Sequence, residues 1–179
     1  MMECNDDEYI ACLCEGTAEE DIMKWLLEEN KLVFSKEQMI EQKPLRIRSA
    51  KVFQKKYLTV EYGAKKIKVI RILDSKNERF KLAKCYADKV SVINIITAPE
   101  IEILAIIKAQ DYQKYTNKYK SQYKPSDYCK MFLGLKNVKE KGFIKKYFGD
   151  INTLIDCIKE YDQLSSDNDF ISLSSLLKK

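Results

Sequence analysis

Three short apolar runs, each ending on or beside a carboxylate, constrain this chain most. They are YIACLC at 9–14, followed by Glu15; KIKVIRILD at 66–74, ending on Asp74; and KVSVINIIT at 89–97, followed closely by Glu100 and Glu102. Their β-branched centres read as buried strands. Strands alternating with helical segments predict an α/β fold, a mostly parallel sheet of about four strands flanked by helices. In an open α/β sheet, sites form beyond the carboxyl ends of the strands. The acids therefore converge on one edge, and a strand that stops on a charge delivers that charge to a site.

Local signals fill in the rest. Gly16 permits a tight turn, and Thr17 with Glu20 fits a capping box. The helix that follows has an apolar face of Ile22, Met23, Trp25, Leu26 and Leu27, with Trp25 in the core, and Asn30 ends it. A short strand is expected near Leu32 to Phe34. Another is expected at Leu45 to Arg48, followed by a helix to about Tyr62. Pro99 suits the first turn of a helix running to about 120. Further helices are expected at 125–133, 138–148 and 150–162, with a short one in the tail. There is no repeat and no low-complexity linker. The 179 residues predict one domain, with a helical, basic C-terminal part from about 108 to 179.

Composition removes whole mechanisms. Histidine is absent, which excludes a Ser-His-Asp triad, a Cys-His pair and an imidazole metal site. The six cysteines, at 4, 12, 14, 85, 129 and 157, form no CxxC pair, so a zinc ribbon is not expected. They read as small buried hydrophobes. No signal peptide is visible and no apolar stretch is long enough to span a bilayer, which predicts a reduced, cytoplasmic protein away from membranes. The net charge of +5 is uneven: residues 108–146 hold eleven lysines and three acids, near +8, leaving the rest near −3.

Clustered carboxylates repel each other unless a divalent cation or a proton lies between them. With oxygen ligands only, the expected cation is Mg²⁺ or Mn²⁺. The candidate ligands are Glu15, Glu19, Asp74, Glu78, Glu100 and Glu102, with Glu15, Asp74 and Glu100 as candidate catalytic residues. The basic segment would attract a polyanion. The candidate nucleic-acid contacts are Lys76 and Arg79 beyond Asp74, and Lys118 and Lys120 in the tyrosine- and lysine-rich run at 111–128. In that run helical spacing favours tyrosines that pack over tyrosines that stack on bases. Arg71, alternating within its strand, is expected to be exposed. Each acid also has a structural reading: helix-dipole complementation for Glu19, Glu20, Asp21, Glu100 and Glu102, and a turn for Glu15 and Asp74.

These stretches resemble a known family. IACLCEGTAEEDIMKWLL looks like the opening motif of the TOPRIM fold, a strand ending in Glu-Gly before a helix. VIRILDSKNERF resembles its second motif, and INIITAPEIEILAII resembles the following segment of small OLD-nuclease and RloB-like proteins. The resemblance covers about residues 8–107. It implies Mg²⁺-dependent cleavage of DNA or RNA, a place in phage defence, and an ATPase or another defence-system protein as partner. Glu15 takes the place of the invariant glutamate, Glu19 that of the second acid on the helix, and Asp74 that of the first acid of Asp-x-Asp. The second aspartate is missing: Ser75 and Lys76 follow Asp74, with Glu78 the nearest substitute. A nucleic-acid-binding or regulatory module that has lost cleavage is thus the alternative, and a nucleotide phosphate-handling enzyme a third. A homodimer is left open.

Overall fold

A parallel ladder organises the chain. In the computed structural model, which describes residues 5, 7–75, 77–165 and 171–178, β1 (Glu8–Cys14), β2 (Lys66–Leu73) and β3 (Val90–Ile96) form one sheet in the order β1-β2-β3. Cys14 pairs with Ile72 and Leu73 with Ile96. Central β2 is buried from Ile67 to Leu73, as expected of a parallel strand covered on both faces.

Among the described residues the sheet has three strands rather than four. The segment at 38–45 runs beside β1, with Ile10 N donating to Gln38 O at 2.8 Å and Leu45 N to Cys12 O at 2.8 Å. Glu41 and Gln42, at φ 57° and 54°, turn it away from the ladder between its two single bridges. Pro44 has no amide to give. Among the described residues Leu32 likewise forms a single bridge, to Leu177, and Ile171 a single one, to Ile95.

Helix α1 (Thr17–Glu28) packs beside the sheet through Ile22, Met23, Trp25 and Leu26, all buried. Each such side chain contributes roughly 1.5–3 kcal/mol on burial. The capping box does not form: Thr17 is already helical and Gly16 caps without a side-chain bond. The stop is as expected, with Asn30 left-handed at φ 53° and Lys31 N returning to Leu26 O at 2.8 Å. Helix α2 (Ala50–Phe53), capped by Ser49, passes into a π turn at Gln54–Leu58 and ends short of Tyr62.

The expected long helix from Pro99 to 120 is broken. Pro99 stays in the turn after β3, and helix α3 (Ile103–Lys108) starts four residues later. Gln110, left-handed at φ 58°, separates α3 from α4 (Tyr112–Lys114) and its π continuation, Tyr115–Tyr119. The cause of the break is the left-handed residue, which ends a helix. Then come α5 (Pro125–Phe132), α6 (Phe143–Phe148) and α7 (Ile151–Leu164). Gly142 at φ 81° delays the start of α6 to 143 instead of 138. Asp150 caps α7 by accepting from Asn152 N at 2.8 Å. The tail closes with a 3₁₀ turn at Leu173–Leu176.

Alternation along the strands makes two cores. Cys12, Cys14, Ile70, Ile72 and Ile95 face α1, α3 and the C-terminal helices in one large cluster. Ala11, Leu13, Ile67, Val69 and Val90 face Leu45, Phe53 and Tyr57 in a smaller one. Cys12, Cys14, Cys129 and Cys157 are buried free thiols, and Cys85 is exposed; Cys4 lies outside the described residues. No helix among the described residues is long and apolar enough to cross a membrane.

Candidate acidic site at the strand ends

Strand register places the acids. Cys14 is level with Ile72, so Glu15 emerges beside the end of β2, and Asp74 N donates to Glu15 Oε2 at 3.4 Å. On the other side, Thr97 N and Oγ1 both donate to Leu73 O, at 2.7 and 3.0 Å. That clamp orients the turn carrying Glu100 and Glu102. Glu19 lies on the first turn of α1, buried, and its carboxylate folds back over Gly16. A Cβ on residue 16 would meet Glu19 Oε2 at 2.4 Å. Gly16 is thus needed for space, its φ of −118° being open to any residue.

The electrostatics divide the edge. Glu15 is buried, and its Oε1 has no hydrogen-bond partner among the described residues. Burial first, and then the neighbouring Glu78 carboxylate, push Glu15 up to about 8. Glu102 is buried at the cap of α3; burial, reinforced by Glu100 and Glu19, carries it up to about 7. Burial and the nearby Asp74 raise Glu19 as well. These groups form an electrostatically connected row from Glu78 through Glu15, Asp74 and Glu19 to Glu102.

Glu100 behaves differently. Burial alone would raise it, yet Lys139 Nζ at 2.9 Å and Ser126 N at 3.0 Å hold it below the usual carboxylate range. Lys139 also lies within electrostatic reach of Glu19 and Glu102. Its segment is anchored by fully buried Val138 and by Gly142 N, which donates to Asp21 Oδ2 of α1 at 2.5 Å.

Arg71 is a correction. It is 1% exposed, not solvated. Its guanidinium donates to Glu78 Oε2 at 3.1 Å and to Asn94 Oδ1 at 3.4 Å, and lies 4.6 Å from the Phe80 ring centre. Alternation put it on the smaller core face, and the loop after β2 folded back to cover it. Sequence reasoning also missed Lys139 and Ser126, because both come from the far end of the chain. The only available signal was the excess of lysine in their segment.

The other candidates scatter. Arg79 is exposed in the loop after Asp74, and Lys76 lies outside the described residues. Lys118 is exposed on the π turn, and Lys120 lines a cavity of about 300 Å³ beyond the end of β3, with Pro99, Leu104, Tyr112 and Tyr161. None of the six carboxylates lines that cavity. Tyr115 and Tyr128 are buried against each other, ring centres 5.1 Å apart, so these tyrosines pack. Several lysines of the basic segment are engaged: Lys108 donates to the carbonyls of Tyr147 and Phe148, and Lys114 pairs with Asp111 at 3.2 Å.

Among the described residues no group of three or more acidic or thiol side chains closes on one point to hold a metal ion. Magnesium asks for less, commonly one or two carboxylates with water completing its shell. An all-carboxylate donor set with one buried oxygen lacking a donor fits that demand. Comparison of the chain with protein-family models, curated proteins and solved structures returns no match in any of the three.

Proposed function

We propose that the acidic edge is a divalent-cation site and that the protein cleaves phosphodiester bonds in nucleic acid in a Mg²⁺-dependent reaction, with a TOPRIM-like arrangement of its acids. The observation that carries the reading is the orphaned, buried Glu15 Oε1 at the end of β1. An acceptor buried without a donor is costly, and a proton or a cation relieves it. Glu15 and Asp74 would hold the ion, with Glu19 beside them, folded over Gly16. Bound Mg²⁺ supplies charge stabilisation at a phosphodiester oxygen and acidifies a coordinated water. Glu102, up to about 7, has the proton affinity of a group that exchanges protons near neutrality. Arg71 keeps Glu78 oriented, and Lys139 keeps Glu100 charged. A role in phage defence rests on the family resemblance alone.

A second reading has its own support. Glu78 and Glu100 are already neutralised by Arg71 and Lys139, and the second acid of Asp-x-Asp is absent. That favours a module that binds nucleic acid or regulates a partner without cleaving.

Calorimetry of Mg²⁺ binding separates the two, on wild type, Glu15→Gln and Asp74→Asn at pH 7 in two buffers of different ionisation enthalpy. The expected result is binding by wild type with release of about one proton, and loss of binding in both variants. Absence of binding in wild type, with nucleic acid present, removes the enzyme reading. Binding without cleavage of single- or double-stranded substrates selects the second.

A further inference from the structure

Arginine is scarce in this chain, and where it occurs is informative. Of 32 lysines and arginines, four are arginine: Arg46, Arg48, Arg71 and Arg79. All four gather around the ends of β1 and β2. Arg48 Nη2 donates to the Glu15 carbonyl at 3.2 Å. Arg46 Nη1 donates to Thr17 Oγ1 at 3.3 Å, and its Nε stands 3.9 Å from Glu20. Arg71 is buried against Glu78, and Arg79 follows Glu78 in the exposed loop. From the lysine-rich segment Lys139 reaches this edge, and it is committed to Glu100.

The two cations differ in what they recognise. Arginine presents a planar fork that fits phosphate bidentately, whereas lysine offers a hydrated point charge. Arg46 and Arg48 are exposed, and their contacts within the chain are weak. Among the described residues Arg48 has no carboxylate partner and donates to the Glu15 backbone carbonyl. Arg46 holds a distant, exposed ion pair of the kind worth little. Most of their donors therefore face solvent, next to the turn that carries Glu15. A polyanion approaching six carboxylates is repelled unless cations flank them. The extended segment at 45–48, held to β1 by Leu45 N donating to Cys12 O at 2.8 Å, fixes two such cations beside the acids.

We propose that Arg46 and Arg48, with Arg79 in the exposed loop that follows Glu78, form the phosphate-backbone contact surface that lays a nucleic-acid strand over the Glu15–Asp74 edge. Arg71 does not touch the strand; it positions Glu78 beneath it. This rests on the nucleic-acid reading above and relocates the contact from the lysine segment to the arginines.

The test is fluorescence anisotropy with labelled single-stranded DNA and RNA of about 20 nucleotides, in EDTA, over a range of salt. Arg46→Ala/Arg48→Ala is compared with wild type, with Arg46→Lys/Arg48→Lys, and with a charge-matched control on other helices, Lys130→Ala/Lys159→Ala. Urea unfolding verifies that each variant is folded. The expected result is a loss of about tenfold or more for the alanine pair and a salt slope smaller by about 2. The lysine pair should recover the slope but only part of the affinity, and the control should stay within about twofold. An alanine pair that binds like wild type, or falls no further than the control, overturns the proposal. So does a wild type that binds neither probe. Because the assay contains no metal, arginine-dependent binding by a protein that fails to bind Mg²⁺ would uphold this surface while removing the cation site.

Discussion

Glu15 and Glu100 are the same residue type, equally buried at 6% exposure, on the same edge of one sheet. Their proton affinities move in opposite directions. Glu100 has two donors, Lys139 Nζ and Ser126 N, and stays charged. Among the described residues Glu15 has one long bond from Asp74 N, an oxygen with no donor, and Glu78 beside it, and favours its protonated form up to about 8. Burial sets the cost of a charge, and the partners decide whether it is met. One half of the edge is therefore complete within the chain, and the other is left to be completed by a proton or a bound cation.

The largest expected effect of this contrast is on stability against pH. Because the folded protein raises Glu15, the folded state holds a proton that the unfolded chain has released. Stability is then fully present below the ordinary carboxylate range and is lost as pH rises through about 8. Glu102 and Glu19 act with the same sign. Glu15→Gln, which keeps the acceptor for Asp74 N and adds a donor, should exceed wild type by about 2 kcal/mol at pH 9. That gap should nearly close at pH 5. Urea unfolding at the two pH values measures it, and an equal gap at both would mean that Glu15 does not titrate as described.

A smaller effect of opposite sign is expected at Glu100. Its depressed proton affinity contributes stability above the ordinary carboxylate range, lost as pH falls through the lower folded value. Lys139→Met should cost about 1 kcal/mol at neutral pH, modest because the lysine is half exposed. The cost should vanish in acid and be largely repaired by adding Glu100→Gln. A double-mutant cycle with no coupling would mean the pair is ornamental.

The smallest stability change is expected for Gly16→Ala, within about 0.5 kcal/mol. The obstructing atom is the mobile end of Glu19 rather than backbone, so the side chain can swing away. Mg²⁺ affinity should nevertheless fall severalfold as Glu19 leaves its place, and titration calorimetry would detect it. A loss of stability above about 2 kcal/mol would instead place the constraint in the backbone.

The edge itself was legible in the sequence. Strand ends read from YIACLC, KIKVIRILD and KVSVINIIT fall within a residue or two of those observed, because apolar runs bounded by charge are local signals. The same runs placed Glu15, Asp74, Glu100 and Glu102 at one end of a parallel sheet. The helices expected at 125–133 and 150–162 are likewise found, at Pro125–Phe132 and Ile151–Leu164, but short-range patterns misjudged other features for identifiable reasons. Arg71 alternates as an outward residue would, and only the fold-back of Glu78 and Phe80 buries it. The expected strand at Leu45–Arg48 is locally plausible, but the left-handed Glu41 and Gln42 and the missing amide of Pro44 reduce it to isolated bridges. The helix expected from Pro99 to 120 breaks at Gln110.

The chain's own residues thus determined a histidine-free, carboxylate-ended parallel sheet and the oxygen chemistry open to it. The tertiary structure alone decided which carboxylates are satisfied. Lys139 and Ser126 come to Glu100 from 39 and 26 residues away, Arg48 comes to Glu15 from 33, and among the described residues none donates to Glu15 Oε1. Donor supply at a buried acid depends on contacts between distant segments, and periodicity along the chain carries no record of them.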